Sequence, residues 1–383
     1  MLKSNFNLEK RTFLKNLLAM GVAAAAAPRL SFGSALNLGS SDNKKPLIKA
    51  RYYEEMPDDI VKCMLCPHEC TLKNGQSGIC RTRVNDGGTL YTTAYGNPIA
   101  IHIDPVEKKP FYHFYPSSKV LSFGTAGCNF RCLNCQNADI SQTAPDDLNS
   151  LDYSPEKIIK TAREHNVESI AFTYTEATVF YEYMYDTAVL AKQAGLKTMV
   201  ISNGFINPKP LKDLINVIDA FNIDLKAFDD KIYMKLCGGK LNPVLNTLNI
   251  ILESGKWLEI THLMVTNYTD KADEFSKMTD WLVKNNFSNT PLHISRFYPA
   301  HKLMDLQPTD VNAMETCYKI AVDAGIKYVY TGNLRTQAHE NTYCSNCKQL
   351  LISRVGFTAK NSGMENGKCS NCKQEIFGEW GSF

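Results

Sequence analysis

The sequence lacks an apolar run long enough to span a membrane, a strong excess of charge of either sign, and an even number of cysteines. The mildly apolar run at residues 17–27 is too short for an ordinary spanning helix. A formal net charge of +3 provides no basic surface typical of nucleic-acid binding, so no nucleic-acid partner is expected. Thirteen cysteines with CxxC-type spacing favour metal ligation under reducing conditions over a disulfide framework.

Three cysteines form a CxxxCxxC motif shortly after the apolar run at residues 119–123; they are Cys128, Cys132 and Cys135. Thiolates are preferred ligands of iron–sulfur clusters, and three cysteines on a four-iron cluster leave one iron open to a substrate or cofactor. The motif therefore predicts a [4Fe-4S] cluster after a strand. A zinc site or unconnected buried thiols are the alternatives.

Two further groups of four cysteines predict additional metal sites. The first group, in a glycine-containing segment, can surround one metal; zinc is favoured and a second iron–sulfur cluster is the alternative. It consists of Cys63, Cys66, Cys70 and Cys80. The second group forms two CxxC pairs at a spacing that resembles a zinc ribbon. It consists of Cys344, Cys347, Cys369 and Cys372. The remaining Cys237 and Cys317 are predicted to be small buried residues.

The chain divides into four predicted segments. Residues 1–40 resemble a twin-arginine targeting signal with lysine in the first basic position, Lys10-Arg11, and a frayed N-terminal tail is the alternative. Residues 41–116 contain the four-cysteine module, residues 117–335 a (β/α)-barrel domain, and residues 336–383 the zinc-ribbon-like module.

Strand-like and helix-like stretches alternate through residues 117–335, which predicts parallel βα units and an α/β fold. One helix is predicted to open at Ser154-Pro155, where serine can cap and proline suits the first turn. Six or seven such units fit a partial or a full (β/α) barrel, whose active site gathers at the carboxyl ends of the strands. The predicted strands are 119–123, 169–175, 197–202, 220–225, 257–265, 291–297 and 326–331.

At the triplet the sequence resembles the radical S-adenosylmethionine (SAM) superfamily. Over residues 50–383 it resembles the AmmeMemoRadiSam system radical SAM enzymes, relatives of pyruvate formate-lyase activating enzymes. The motifs that carry the resemblance include IDPVEKKPFYHFYP, GCNFRCLNCQN, FTYTEAT, NIDLKAF and HISRFYPAHK. One departure is Ala177, where the family usually has proline. The resemblance implies a partial barrel that binds a [4Fe-4S] cluster and SAM.

The resemblance also implies roles for residues at the ends of several strands. Glu176 would accept the ammonium group of SAM, and Asn203 would contact the cofactor. Asp224 and Lys226, in a segment resembling the DLK motif of activating enzymes, would contact SAM or substrate. Apolar neighbours predict that Asp224 is buried and needs a partner. Arg296 could pair with the SAM carboxylate or form a salt bridge within the barrel.

The function implied is reductive cleavage of SAM to a 5′-deoxyadenosyl radical that abstracts hydrogen from a protein or peptide substrate. An electron donor such as flavodoxin or ferredoxin would be a partner. Radical chemistry on a small molecule is an alternative, as is a non-catalytic iron–sulfur and zinc protein. The chemistry suits the cytoplasm, whereas the N-terminal segment suggests export or membrane association.

Overall fold

The computed structural model describes residues 47–334, 339–381 and 383. The first module holds six short strands: β1 (Ile48–Lys49), β2 (Tyr53–Met56), β3 (Ile60–Cys63), β4 (Thr71–Leu72), β5 (Arg83–Asp86) and β6 (Thr89–Thr92). They form two antiparallel sheets, in the orders β1-β6-β5 and β2-β3-β4. Gly87 and Gly88 both have positive φ, which suits the tight turn joining β5 to β6.

The main sheet contains the next eight strands. They are β7 (Ala100–Pro105), β8 (Lys119–Gly124), β9 (Ser169–Phe172), β10 (Lys197–Ser202), β11 (Ala220–Asp224), β12 (Trp257–Met264), β13 (Leu292–Arg296) and β14 (Val329–Gly332). Strands β8 to β14 are parallel neighbours in chain order, and β7 pairs antiparallel with β8. Because the sheet ends at β7 and β14, it is an open, partial (β/α) barrel.

Helices follow the strands and cover the outside of the sheet. They are α1 (Ala138–Ser141), α2 (Pro155–Glu164), α3 (Tyr181–Gln193), α4 (Pro208–Ile215), α5 (Asp230–Cys237), α6 (Leu241–Glu253), α7 (Ala272–Lys284) and α8 (Val311–Ala324). Short 3-10 helices span Val106–Lys108, Pro145–Asp147 and Ala177–Phe180. Ser154 caps α2 as predicted, since its side chain accepts a hydrogen bond from the backbone N–H of Lys157.

The predicted strands all form within the main sheet. Strand β9 is buried at every position, as expected for a parallel strand covered on both faces. The largest differences are at the ends: β9 stops at Phe172 rather than at residue 175, and β14 begins at Val329 rather than at residue 326. Tyr174 has a φ of 71°, so the chain turns out of the strand just before the active-site edge.

The C-terminal module contains β15 (Thr342–Tyr343), β16 (Leu350–Val355), β17 (Thr358–Asn361), β18 (Met364–Glu365) and β19 (Lys368–Cys369). Arg354 of β16 reaches the barrel, where its guanidinium donates to the backbone oxygen of Tyr112 at 2.8 Å. From the barrel side, His113 Nδ1 hydrogen-bonds with the carbonyl of Phe377 at 2.7 Å. These contacts fix the module against the segment that joins β7 to β8.

The predicted targeting segment, residues 1–40, lies outside the described residues. Within the part of the chain that is described, no helix is both long and apolar enough to cross a membrane.

Candidate active site

A cavity of about 500 Å³ lies at the carboxyl edge of the main sheet. Its walls come from the segments that follow β8, β9, β10 and β11, which is where a barrel of this kind gathers its functional groups. The predicted site residues that line it are Cys128, Cys132, Cys135, Glu176, Asn203, Asp224 and Lys226. Side chains separated by about a hundred positions in the sequence therefore face one space.

The cysteine loop begins with a glycine that no other residue could replace without rearrangement. Gly127 has a φ of 95°, and a Cβ there would lie 2.6 Å from the backbone oxygen of Cys80. Farther along, the loop is held by the end of α5, because the N–H of Arg131 donates to the carbonyl of Cys237 at 2.8 Å. The loop is thus fixed on one side by the N-terminal module and on the other by the barrel.

The three thiols of the loop fit a cluster better than a single ion. Four thiolates around one zinc lie about 3.8 Å apart, whereas each thiolate of a four-iron cluster binds a different iron. Among the residues described, only the C-terminal cysteines form a group of three or more ligand atoms mutually within 4.8 Å, so the three sulfurs of the triplet are not all this close. Hydrogen-bonding groups approach the sulfurs: the Phe130 N–H donates to Cys128 at 3.3 Å, and Cys135 contacts the Ser141 hydroxyl at 3.2 Å.

The electrostatic surroundings of the three thiols differ. Burial, and then the nearby Glu176 carboxylate, raises the pKa of the Cys128 thiol well above its ordinary value. A hydrogen bond with Cys237 and the charge of Lys226 lower the pKa of the Cys132 thiol, although burial opposes them. Cys237 is fully buried, as the sequence predicts, and it hydrogen-bonds with Cys132 of the loop.

Glu176 is the most deeply buried charged group in this wall, with an exposed fraction of 1%. Its Oε1 accepts hydrogen bonds from the Thr178 N–H at 3.0 Å and the Ser202 hydroxyl at 2.6 Å. Its Oε2 accepts the N–H of Asn203 at 2.8 Å. Burial raises the pKa of Glu176, and these donors oppose that rise.

Asp224 and Lys226 form an ion pair at the end of β11, with Nζ and Oδ2 2.8 Å apart. The pairing agrees with the expectation that Asp224 needs a partner. The expected burial of its carboxylate was wrong, because 31% of that side chain is exposed at the end of the strand. Both side chains therefore face the cavity and remain accessible to a ligand there.

Arg296 stands apart from the other predicted residues. It does not line the cavity, and its Nε donates to the backbone oxygen of Thr309 at 2.7 Å. Its Nη1 donates to the hydroxyl of Tyr298 at 3.3 Å. The structure gives Arg296 a role in holding the loop after β13, and it does not bring the guanidinium to the group around Glu176.

The cavity also contains a charged group that sequence reasoning left out. Lys109 lies in its wall and donates from Nζ to Asp104 Oδ2 at 2.6 Å. Tyr174 donates its hydroxyl to the same oxygen at 2.9 Å. Burial lowers the pKa of Lys109 to about 8, although the Asp104 carboxylate acts in the opposite direction. The motif IDPVEKKPF was the only sequence signal, and it does not distinguish this lysine from a surface residue.

The two four-cysteine groups have different geometries. In the C-terminal module the four sulfurs lie within 4.8 Å of one another, and Cys344–Cys372 and Cys347–Cys369 are each 3.6 Å apart. This spacing fits a single tetrahedral ion. In the N-terminal module the four cysteines line a separate small pocket, together with Asn129 of the active-site loop.

Known proteins are similar to this chain over the residues that form the cavity and beyond them. A family model described as the Radical SAM superfamily matches residues 123–282. An uncharacterized protein of Methanocaldococcus jannaschii is 44% identical over 312 residues, which cover 82% of this chain and 93% of that protein. The pyruvate formate-lyase 1-activating enzyme of Escherichia coli K12 is 23% identical over 159 residues, or 40% of this chain and 65% of that enzyme.

Two solved structures also align with parts of this chain. A radical SAM methyltransferase from Sphaerobacter thermophilus aligns over 80% of this chain and 81% of its own, with 13% identity and a TM-score of 0.47. A domain of a pyruvate-formate lyase-activating enzyme from Bacteroides vulgatus aligns over 43% of this chain and 99% of its own, with 16% identity and a TM-score of 0.37. The matched family region contains the cysteine loop and the strand ends that form the cavity.

Proposed function

The chain belongs to the radical SAM superfamily, and from this premise we propose that it cleaves SAM reductively and abstracts hydrogen from a protein or peptide substrate. One observation carries the proposal: the loop cysteines, the Glu176 carboxylate and the Asp224–Lys226 pair all line one cavity of about 500 Å³. That volume lies in the usual range for cofactor sites.

The cysteine triplet is proposed to hold the cluster. Cys128, Cys132 and Cys135 would each bind one iron, and the absence of a fourth cysteine from the CxxxCxxC loop leaves one iron for SAM. When bound, the [4Fe-4S] cluster supplies the electron that splits SAM into methionine and a 5′-deoxyadenosyl radical. The task of the protein is to bind and orient SAM and to exclude water.

Glu176 is proposed to bind the ammonium group of SAM. Its carboxylate already accepts hydrogen bonds from Thr178, Ser202 and Asn203. The ammonium group of SAM would add a charged donor to this carboxylate and offset part of the cost of a buried charge. Asp224 and Lys226 would bind polar groups of SAM or the substrate on the opposite wall.

The identity of the substrate is a finer proposal. Support for a protein or peptide comes from the likeness to an enzyme named as an activator of pyruvate formate-lyase. A protein of the flavodoxin or ferredoxin class is proposed as the electron donor. The C-terminal cysteines are proposed to bind zinc, because their spacing suits a single tetrahedral ion.

An anaerobic assay tests the central proposal. The protein is reconstituted with iron and sulfide, SAM and dithionite are added, and 5′-deoxyadenosine is quantified by mass spectrometry. We expect product from wild type and from Cys317→Ala, which removes a buried thiol far along the chain on α8. We expect none from Cys132→Ala, because a cluster ligand is lost. Equal product from Cys132→Ala and wild type would refute the ligand assignment.

The location of the protein in the cell is proposed to be a reducing compartment, since the chemistry requires SAM and a low-potential electron donor. The lysine–arginine pair at residues 10 and 11 suggests that a portion is exported or membrane-associated. Fractionation of C-terminally tagged full-length protein checks this. If all of the protein were soluble, cytoplasmic and intact at its N-terminus, the export proposal would be contradicted.

A further inference from the structure

The N-terminal module contains a four-cysteine pocket that the proposed SAM chemistry does not use. Its lining includes apolar residues such as Leu65, Ile79 and Val179, and four thiols face it. We use the name N-terminal cysteine pocket for the site formed by Cys63, Cys66, Cys70 and Cys80. All four cysteines are free. Four converging thiols in an apolar pocket constitute a complete ligand set for a metal or a cluster.

The spacing of the sulfurs separates these two possibilities. The C-terminal site of the same chain provides an internal comparison, because its four sulfurs lie mutually within 4.8 Å. In the described ranges no other group of three or more ligand atoms is this compact, so no three sulfurs of the N-terminal cysteine pocket lie mutually within 4.8 Å. The same is true of the three sulfurs of the active-site triplet. A wide set of thiolates suits four irons, each with its own cysteine, and not one ion.

A charged hydrogen-bond donor approaches one of the sulfurs. The guanidinium of Arg83, which is 1% exposed, has Nη1 3.8 Å from the sulfur of Cys63. The Thr82 hydroxyl oxygen lies 3.3 Å from the sulfur of Cys80, while its proton is donated to the Val179 carbonyl at 2.9 Å. Donors of this kind stabilise the charge on ligand sulfurs and tune the potential of an iron–sulfur cluster. Arg83 is itself fixed by its ion pair with Glu182 at 2.5 Å.

The N-terminal cysteine pocket lies directly behind the active-site loop. Cys128 lines the active-site cavity, and the next residue, Asn129, lines the N-terminal cysteine pocket. Consecutive Cα atoms are only about 3.8 Å apart, so one stretch of backbone separates the two sites. The close approach of Gly127 to the Cys80 carbonyl brings the two cysteine-bearing segments together at the same point.

We propose that the N-terminal cysteine pocket holds a [4Fe-4S] cluster that passes electrons to the cluster of the active-site loop. The transfer part of this proposal rests on the proposed function, whereas the presence of the cluster does not. One electron would leave a cluster held by Cys63, Cys66, Cys70 and Cys80 and would reduce the cluster held by the active-site loop. A reduced protein of the flavodoxin or ferredoxin class would restore that electron.

Metal content tests the presence of the cluster. The variant Cys128→Ala/Cys132→Ala/Cys135→Ala removes the active-site ligands and leaves the N-terminal cysteine pocket intact. It is reconstituted anaerobically as a full-length chain with sulfide and equal amounts of iron and zinc, and bound metals are then counted. We expect about four irons and four sulfides per chain, together with about one zinc in the C-terminal site. Absence of bound iron, with either one or two zinc ions per chain, would overturn the proposal.

Electron paramagnetic resonance tests whether the two clusters lie close together. In fully reduced wild type, two clusters separated by one backbone stretch should broaden each other's signals by spin–spin interaction. The signal should sharpen in the triple variant and in Cys66→Ala/Cys70→Ala, each of which retains one cluster. Identical line shapes in all three proteins would overturn the transfer role. SAM cleavage by a wild type that holds zinc in the pocket would reject this inference and leave the proposed function standing.

Discussion

Glu176 is a buried carboxyl group in the wall of the cavity, held by hydrogen bonds from Thr178, Ser202 and Asn203. Glu176→Gln keeps the shape of the side chain and removes the charge. We expect roughly 10- to 100-fold weaker SAM binding, because a hydrogen bond to a charged group contributes about 1.5–3 kcal/mol. Equilibrium dialysis of the anaerobically reconstituted protein measures the change.

A matched control removes a charge elsewhere. Glu164→Gln alters an exposed residue whose ion pair with Lys160 is 3.8 Å long, and SAM binding should be unchanged. If Glu176→Gln keeps a normal cluster spectrum and binds SAM as tightly as wild type, then Glu176 does not bind the ammonium group.

Asp104 is the second residue with a defined energetic role. Its carboxylate accepts hydrogen bonds from Lys108, Lys109 and Tyr174. Burial by itself raises the pKa of Asp104, but the charge of Lys109 and these hydrogen bonds together lower it to about 2. The carboxylate is therefore ionised at neutral pH and compensates the buried charge of Lys109.

Asp104→Asn should therefore destabilise the fold. Removing one partner of a buried ion pair costs about 3 kcal/mol, which corresponds to a fall in Tm of roughly 5–10 °C for a domain of this size. Circular dichroism during anaerobic heating gives the Tm. Lys108→Ala is the comparison, since 40% of the Lys108 side chain is exposed and its loss should matter less. Equal Tm values for wild type and Asp104→Asn would contradict this account.

At the scale of elements, the C-terminal module is too small to depend on its apolar core alone. Its two sulfur pairs, each 3.6 Å apart, join β19 and its following turn to the turn before β16. A bound ion would supply much of the folding free energy of such a module.

Cys369→Ala should remove zinc from the C-terminal module and spare iron. We expect zinc to fall from about one ion per chain to none, because three thiolates hold a structural ion much less tightly than four. Plasma mass spectrometry of the reconstituted protein measures both metals, and Cys317→Ala controls for loss of a buried thiol. Unchanged zinc in Cys369→Ala would show that the ion is held elsewhere.

At the scale of the whole molecule, the modules on either side of the barrel are tied to it by buried arginines. Arg83 pairs with Glu182 on the N-terminal side. On the C-terminal side, Arg354 is 2% exposed and lies 4.1 Å from the centre of the Tyr112 ring. It also donates to the Tyr112 carbonyl and to the Thr342 hydroxyl, each at 2.8 Å. Arginine suits this place because one planar group can stack and donate at the same time.

Arg354→Met should loosen the C-terminal module from the barrel. The loss of charged hydrogen bonds and of the ring contact costs about 3 kcal/mol. Limited trypsin digestion should release a C-terminal fragment faster than from wild type. Lys360→Met changes an exposed residue on β17 of the same module and should digest like wild type. If the two variants were digested at the same rate, Arg354 would not hold the C-terminal module against the barrel.

Features that depend on neighbouring residues could be predicted from the amino-acid order alone. Cysteine spacing fixed which thiols could share a site, and runs of apolar residues fixed where the parallel strands lie, from β8 to β14. Ser154 began its helix as predicted because a cap requires only neighbouring residues. The partial barrel and the superfamily follow from these local patterns taken together with the sequence resemblance.

Which side chains come into contact depends on how the folded elements pack against one another. Lys109 joins the cavity because the segment after β7 crosses the end of β9, where Tyr174 shares the Asp104 carboxylate. Arg296 lies outside the site because its guanidinium donates to the Thr309 carbonyl in the loop after β13. Contacts of this kind join residues distant in sequence, so their geometry depends on how whole elements pack. A local sequence pattern therefore does not predict the geometry of these contacts.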